Sequence, residues 1–350
     1  MRLAICADTH LQNHSAFPGV EIGRINARAR EVLSVLRLAV DAAIANGCDT
    51  FVIAGDVFDC DHPFPDHISS LMGIVKDARN RGLETLFLVG NHDQHSNTPN
   101  DNALAPFAMD FPVYEKPTLI ERLPRVLMIP FGFNTLDLTT TADIVIAHHG
   151  ISEDTTHPAK ANGQWVIRVD AIRQWMEKNK VSYYLAGDWH EHRSWDDGRI
   201  IQIGALAPVN WTNRAYVPGR PDPYGSLVVF GEGGPQRIVI PGPRFLRAQS
   251  DDEALELFAA TVAEGKKPYI DVIGGSVLAT LPAYQNSFKS SGAAERGYEK
   301  LEQTIKEISA DGEIDDVVVD FIDTDPAIPD NIRGRVKTAV LRAMKEARCQ

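Results

Sequence analysis

Five short apolar runs in this chain each end in side chains able to hold a cation. Leu3-Ala4-Ile5-Cys6-Ala7 leads into Asp8-Thr9-His10, and Phe51-Val52-Ile53-Ala54 into Gly55-Asp56-Val57-Phe58-Asp59. Leu86-Phe87-Leu88-Val89 leads into Gly90-Asn91-His92-Asp93, Ile144-Val145-Ile146-Ala147 into His148-His149, and Tyr183-Tyr184-Leu185-Ala186 into Gly187-Asp188-Trp189-His190. Two divalent cations about 3.5–4 Å apart can clamp the attacking and leaving oxygens of a phosphoryl displacement. Such a site needs one bridging carboxylate and a mixture of oxygen and nitrogen ligands. Asp56 is the natural bridge. Asp8 and His10, two apart on a segment expected to be extended, would point the same way and together hold one ion. Asn91 offers a neutral amide oxygen to the second ion, and His148 a ring nitrogen. His92 is then free to protonate the leaving oxygen as general acid. Asp59 would orient it, as carboxylates commonly fix imidazoles. His149 reads as a supporting or core histidine beside His148.

The elements that must position these groups follow from the same runs. A short apolar run bounded by glycine reads as a buried strand, and open α/β sheets keep their sites at the carboxyl ends of strands. Between the first two runs, Val32, Leu33, Leu36, Ala39, Val40, Ala43 and Ile44 recur at helical spacing within a helix over about 24–46, closed by Asn46-Gly47. A second helix is expected over about 65–81, then a strand at 84–89. This β-α-β-α-β order implies parallel strands with right-handed crossovers. Further strands are expected near 118–123, 125–129, 143–147, 182–186, 199–203, 226–230 and 236–240, with a helix over 168–178. Pro241-Gly242-Pro243 marks a boundary, giving one domain over 1–243 and a second over 244–350. In the second, helices are expected at about 251–264, 294–308 and 331–347, with strands at 268–273 and 316–321. The terminal helix gathers Ile332, Val336, Ala339, Val340, Ala343 and Ala347 on one face, for domain packing or for docking a partner.

Composition narrows the function classes. At 350 residues, with 44% hydrophobic and 23% charged residues, the chain is an ordinary globular protein long enough for two domains. It has no apolar run near the length of a membrane span. The opening apolar run stops at Asp8, too short for a signal peptide. The four cysteines are scattered without a CxxC pair, so buried thiols and a cytoplasmic setting are expected. A formal net charge of -12 argues against a broad electrostatic grip on nucleic acid. It leaves a nuclease open, since bound cations offset an acidic site and a partner can supply basic surface. Gly265-Lys266-Lys267 lacks the upstream Gly and the Ser or Thr of a Walker A loop.

The order DxH, GDxxD, GNHD, H and a late GxxH resembles the calcineurin-like metallophosphoesterase superfamily. The finer resemblance is to the SbcD-type DNA double-strand-break repair nucleases. It rests on Met1-Arg2-Leu3 leading to Asp8-Thr9-His10-Leu11, on Gly55 to Asp59 with Pro63 and Pro65 downstream, and on His148-His149-Gly150. The resemblance covers about residues 1–246. It implies a four-layer αββα sandwich carrying the motifs, with a small C-terminal α+β cap. It also implies two metal ions, Mn²⁺ first and Mg²⁺ second, and DNA phosphodiester cleavage alongside an SbcC-like coiled-coil ATPase. DNA, that ATPase and a second copy of the chain are the expected partners.

The sequence departs from the family at its fifth motif. Where relatives show GHxH, this chain has Gly187-Asp188-Trp189-His190-Glu191-His192. Aligned on the glycine, Asp188 replaces the first histidine and His190 keeps the second, a register favoured by the strand end at Ala186. A shifted register would use His190 and His192 as the pair, with His192 otherwise in a supporting place. Two other functions stay open. One is a phosphodiesterase or phosphatase acting on cyclic nucleotides or small phosphate esters. The other is a non-catalytic scaffold of the same fold, in which the ligands are typically eroded. The GDxxDRG and GNHE signatures of the protein-phosphatase branch are absent.

Overall fold

The computed structural model describes residues 2–291, apart from 16, 18, 96–100, 123, 155–159, 162–163, 209–223, 232, 274–275, 277 and 281–286. The helices expected at 294–308 and 331–347 and the strand at 316–321 lie outside the described residues. Two six-stranded sheets carry the motifs. The first is built from β1 (Leu3–Cys6), β2 (Thr50–Ala54), β3 (Glu84–Leu88) and β4 (Val113–Tyr114), with β14 (Ser226–Gly231) and β15 (Gly234–Val239) on the other side of β1. The second orders β12 (Arg193–Trp195), β13 (Ile200–Gln202), β11 (Tyr183–Gly187), β7 (Ile144–His148), β6 (Val126–Ile129) and β5 (Thr118–Ile120). The strands β1, β2 and β3 run parallel, as do β6, β7 and β11. The short strands β8 (Gly150–Ser152), β9 (Lys160–Ala161) and β10 (Gln164–Arg168) form a small separate sheet.

Alternation along each strand sorts its side chains into layers. Leu3, Ile5, Val52, Ala54, Leu86 and Leu88 meet Val126, Met128, Ile144, Ile146 and Leu185 between the two sheets. On the outer face of the first sheet, Ala4, Cys6, Phe51, Ile53 and Phe87 pack under α1 (Ala27–Ala45) and α2 (Pro65–Asn80). On the outer face of the second, Val145, Ala147, Tyr184 and Ala186 pack under Ile172, Trp175 and Met176 of α3 (Val169–Asn179). The result is the four-layer αββα sandwich. Strands buried on both faces read as continuous apolar runs for this reason.

The helices are held at their ends. Asn26 caps α1 by accepting from the Ala29 N–H at 2.9 Å, so the helix begins at Ala27 and not near 24. At its other end Gly47 takes φ +69°, and the Gly47 and Cys48 N–H groups return to Ile44 and Ala43. Phe87 is fully buried, with its ring 5.0 Å from that of Phe107 and 6.2 Å from that of Phe111. Phe87→Ala is expected to destabilise the protein by about 3–5 kcal/mol, read as a lower urea midpoint at unchanged m.

The chain divides into two compact units, Met1–Leu246 with Leu257–Tyr269, and Arg247–Glu256 with Ile270–Gln350. The elements β16 (Arg244–Ala248), α4 (Asp251–Ala263), β17 (Pro268–Ile273) and β18 (Phe288–Ser291) follow the sandwich in sequence. Within the second unit, Ile270–Ile273 pairs in parallel with Phe288–Ser291, and the Lys289 ammonium lies 3.4 Å from the buried Asp271 carboxylate. Among the described residues, no helix is long and apolar enough to cross a membrane.

Candidate metal centre

The loops after β1, β2, β3, β7 and β11 carry the five polar clusters, and their backbone is unusual. Asp8, His10, Asp56 and Asp188 have φ of 54°, 45°, 49° and 88°. Non-glycine residues held there cost about 1–3 kcal/mol each and persist only where their surroundings impose it. Here the Asp8, His10 and Leu11 N–H groups donate to the carbonyls of Gly55, Asp56 and Val57 at 3.1, 3.0 and 3.0 Å. The expectation of an extended Asp8–His10 segment is therefore corrected. β1 ends at Cys6, and hydrogen bonds to the neighbouring loop fold the backbone left-handed at both residues.

Close approach explains two of the motif glycines. A Cβ on Gly90 would lie 2.2 Å from the Asp56 nitrogen, and one on Gly55 would lie 2.0 Å from His148 Nδ1. The loops are further tied by Asp93, a residue given no role from sequence. Its fully buried carboxylate accepts from the N–H groups of Val57, Phe58 and Gly90 at 3.3, 3.0 and 3.0 Å. The only signal for it was its place as the last residue of GNHD.

The expected ligands converge in two overlapping groups that share Asp8, and a third group, His10, Asp59 and His92, adjoins them through His10. Asp8, His10 and His190 offer ligand atoms within 4.8 Å of one another, and so do Asp8, Asp56 and His148. Asp8 is common to both. Asp56 lies 3.3 Å from His148 Nε2 and 3.7 Å from His10 Nε2, between the same imidazoles. Asn91 Oδ1 is 3.2 Å from His148 Nε2. Asp188 joins through its backbone, its N–H donating to the two Asp8 oxygens at 3.0 and 3.2 Å. Its carboxylate belongs to neither group, but Oδ2 is buried with no hydrogen-bond partner among the described residues. His192 turns Nδ1 to the Ile203 carbonyl at 2.9 Å. His149 is buried behind His148, with Nδ1 on the Gly150 carbonyl at 2.9 Å and Nε2 2.5 Å from the Tyr184 hydroxyl.

His92 and Asp59 meet differently from the expectation. Asp59 Oδ1 is 2.7 Å from His10 Nδ1 and 3.6 Å from His92 Nδ1, and Gln12 donates to its other oxygen. Asp59 thus orients His10 first, because the left-handed turn at His10 brings that ring within its reach. His92 is held at both ends: its backbone N–H donates to the Asp56 carboxylate at 3.0 Å, and its ring Nδ1 lies 3.4 Å from the Asp59 backbone carbonyl. The ring is 43% exposed, the most accessible of the set around it.

The chemistry of the donors fits a cation centre. His148 Nδ1 lies 2.8 Å from the Ala54 carbonyl and donates to it, so Nε2 faces the oxygens of Asn91 and Asp56, a place for a proton or a metal ion. His10 likewise donates Nδ1–H to Asp59, which leaves its Nε2 2.9 Å from His190 Nε2. Carboxylates and imidazole nitrogens gathered in this way offer donors to a cation, either protons or metal. Burial first, with the Asp56 charge adding to it, pushes the Asp8 carboxyl up to about 7 and that of Asp188 up to about 6. Burial opposes charge on His148, but the Asp56 and Asp8 carboxylates outweigh it and hold its imidazolium well above the ordinary range. Oxygen and imidazole donors without thiolate suit divalent first-row ions and Mg²⁺.

Residues 1–192 match the calcineurin-like phosphoesterase family. The chain belongs to that family. The matched span covers more than half of this phosphoesterase and includes every ligand candidate. The DNA double-strand break repair protein Mre11 of Saccharolobus solfataricus is 22% identical over 215 residues, covering 56% of this chain and 52% of that protein. The chain therefore spans about half the length of that relative. Among solved structures, the cold-active protein-tyrosine phosphatase of a psychrophilic Shewanella aligns at a TM-score of 0.37 and 13% identity, covering 68% of this chain and 78% of that one. The family's fold implies divalent metal ions, and the two groups sharing Asp8 are where this phosphoesterase offers donors for them.

Proposed function

We propose that this phosphoesterase is a two-metal, Mn²⁺-dependent DNA nuclease subunit of break repair or recombination. The observation that carries the reading is the pair of carboxylate–imidazole groups sharing Asp8, in a chain whose relative is a DNA double-strand break repair protein. Asp8, His10 and His190 would hold one ion, Asn91, His148 and Asp188 the other, and Asp56, between the His10 and His148 imidazoles, would be shared by both. Bound there, the ions supply charge neutralisation at the phosphoryl group. The protein's own groups do the rest. Asp59 and the Ala54 carbonyl hold the Nδ1 protons of His10 and His148, so that both Nε2 atoms face the site. As water adds to phosphorus, giving up one proton to solvent, and the ester P–O bond breaks, His92 gives its Nε2 proton to the leaving oxygen while Nδ1–H stays on the Asp59 carbonyl.

With a net charge of -12, the grip on the DNA backbone is assigned to a partner, an SbcC-like coiled-coil ATPase. Residues 244–350 are assigned as the cap, and a second copy of the chain and a cytoplasmic setting belong to the same reading. The test sets Mn²⁺-dependent cleavage of labelled single- and double-stranded DNA beside hydrolysis of cyclic nucleotides and a small phosphate diester. DNA cleavage supports the proposal. Turnover of the small substrates alone would replace it with the small-ester reading, and no turnover of any substrate with the scaffold reading.

Asp188 gives the site its own character. A carboxylate where relatives place an imidazole makes the second position harder, favouring Mn²⁺ or Mg²⁺ over Zn²⁺. Asp188→Ala is expected to weaken the second ion far more than the first, since Asp8, His10 and His190 remain. Asp188→His should shift the activity preference from Mn²⁺ and Mg²⁺ toward Co²⁺ and Zn²⁺. Metal titration followed by activity checks both. Unchanged Mn²⁺ stoichiometry and rate in Asp188→Ala would return the ligand pair to His190 and His192.

A further inference from the structure

One further group of ligand atoms lies outside the centre described above. Asp61, His62 and His95 each offer one ligand atom, and the three lie within 4.8 Å of one another. His62 Nδ1 is 3.0 Å from Asp61 Oδ1, and the His62 and His95 rings are 4.5 Å apart at 52°. Two loops supply them, the one that continues from Asp59 and the one that continues from His92. The His95 backbone is fixed, its N–H donating to the Asp101 carbonyl at 2.9 Å beside the bridge between Gln94 and Asn102.

Ordinary surface energetics give little reason for this grouping. His62 is 78% exposed, and an exposed ion pair is worth about 0–1 kcal/mol. One observation goes beyond proximity. His95 Nδ1 is shielded from solvent and has no hydrogen-bond partner among the described residues, an arrangement proteins generally avoid.

We propose that Asp61, His62 and His95 form a third cation site, which takes one borderline transition-metal ion, Zn²⁺ best. Two imidazoles and one carboxylate suit Zn²⁺, Co²⁺ or Ni²⁺, whereas Mg²⁺ and Ca²⁺ prefer all-oxygen shells. Three protein ligands with a position left open is the composition of an accessible zinc site, as opposed to a closed structural one. The site differs in donor type from the Asp8 centre, which has more oxygen ligands, so the two should sort metals. It does not depend on the nuclease reading.

The test is isothermal titration of Zn²⁺ into the full chain already saturated with Mn²⁺. The Mn²⁺ and Zn²⁺ contents are then counted by elemental mass spectrometry, so that exchange at the Asp8 centre is recorded separately. The wild-type chain should gain one Zn²⁺ per chain while its Mn²⁺ content stays constant. His62→Ala should lose that ion, and its side chain is too exposed for the change to disturb the core. Asp61→Asn should lose it too, while both variants keep the wild-type Mn²⁺ content. An equal Zn²⁺ gain in wild type and both variants, or no gain beyond Mn²⁺ exchanged in the wild type, would overturn the proposal.

Discussion

Asp56→Asn is expected to abolish both metal binding and phosphoesterase activity, with a loss at least as large as the ~10²–10⁴-fold that a single proton-transfer group contributes. The substitution keeps the shape of the side chain and an oxygen to accept the His92 N–H, which now bonds Asp56 Oδ1 at 3.0 Å. What it removes is the charge. Burial opposes that charge, but the His148 imidazole 3.3 Å away and the other histidines hold the Asp56 carboxyl well below its ordinary range. Unlike Asp8 and Asp188, whose carboxyls burial pushes up, Asp56 is held in its ionised form, and a neutral amide in its place removes the charge that two cations would share. Metal content by elemental analysis and cleavage of DNA check the prediction together. A variant with full Mn²⁺ content would remove Asp56 from its bridging role.

His92→Asn should separate the two properties that Asp56→Asn loses together. The ring is 43% exposed and lies in neither group that contains Asp8, though it shares a third with His10 and Asp59, so its removal leaves the two sets of donors around Asp8 in place. The expected loss in rate is about 10²–10⁴-fold, the usual worth of a general acid. Mn²⁺ stoichiometry by calorimetry should be unchanged. If the variant bound one ion fewer, His92 would be a ligand and the proton would come from elsewhere. The neighbouring Asp59→Asn makes a useful contrast, because Asp59 bonds His10 at 2.7 Å and its loss should act through that ligand.

Much of the sandwich could be read from the sequence because a strand buried on both faces writes itself as an apolar run. Leu3 and Ile5 face one layer while Ala4 and Cys6 face the other, and the polar residues that follow are left at the sheet edge. What the backbone does after the strand ends leaves no such trace. Nothing in Asp8-Thr9-His10 as a string announces two left-handed residues, since the bonds imposing them come from Gly55, Asp56 and Val57, far along the chain. The same holds for Gln12 and His10 on Asp59, and for Asp93 on the Val57 and Phe58 N–H groups. Such contacts depend on loops meeting in space, and periodicity reports only which face of an element is buried. The strands β4, β8, β9, β10, β12, β16 and β18, of two to five residues, were not expected, because none lies in a continuous apolar run like those of β1, β2 and β3. Asp188 was placed by the glycine register beside Asp8, yet its contact there is made by its backbone nitrogen, which no side-chain motif encodes.

Anomalous diffraction from crystals of the full chain soaked in Mn²⁺ tests the central claim most directly, because it locates the ions without reference to any substrate. Two neighbouring peaks are predicted, one bounded by Asp8, His10 and His190 and the other by Asn91 and His148, with Asp56 between them and the Asp188 carboxylate turned toward the second. A single peak in this centre, or Mn²⁺ bound only away from Asp8 and Asp56, would contradict the two-metal account.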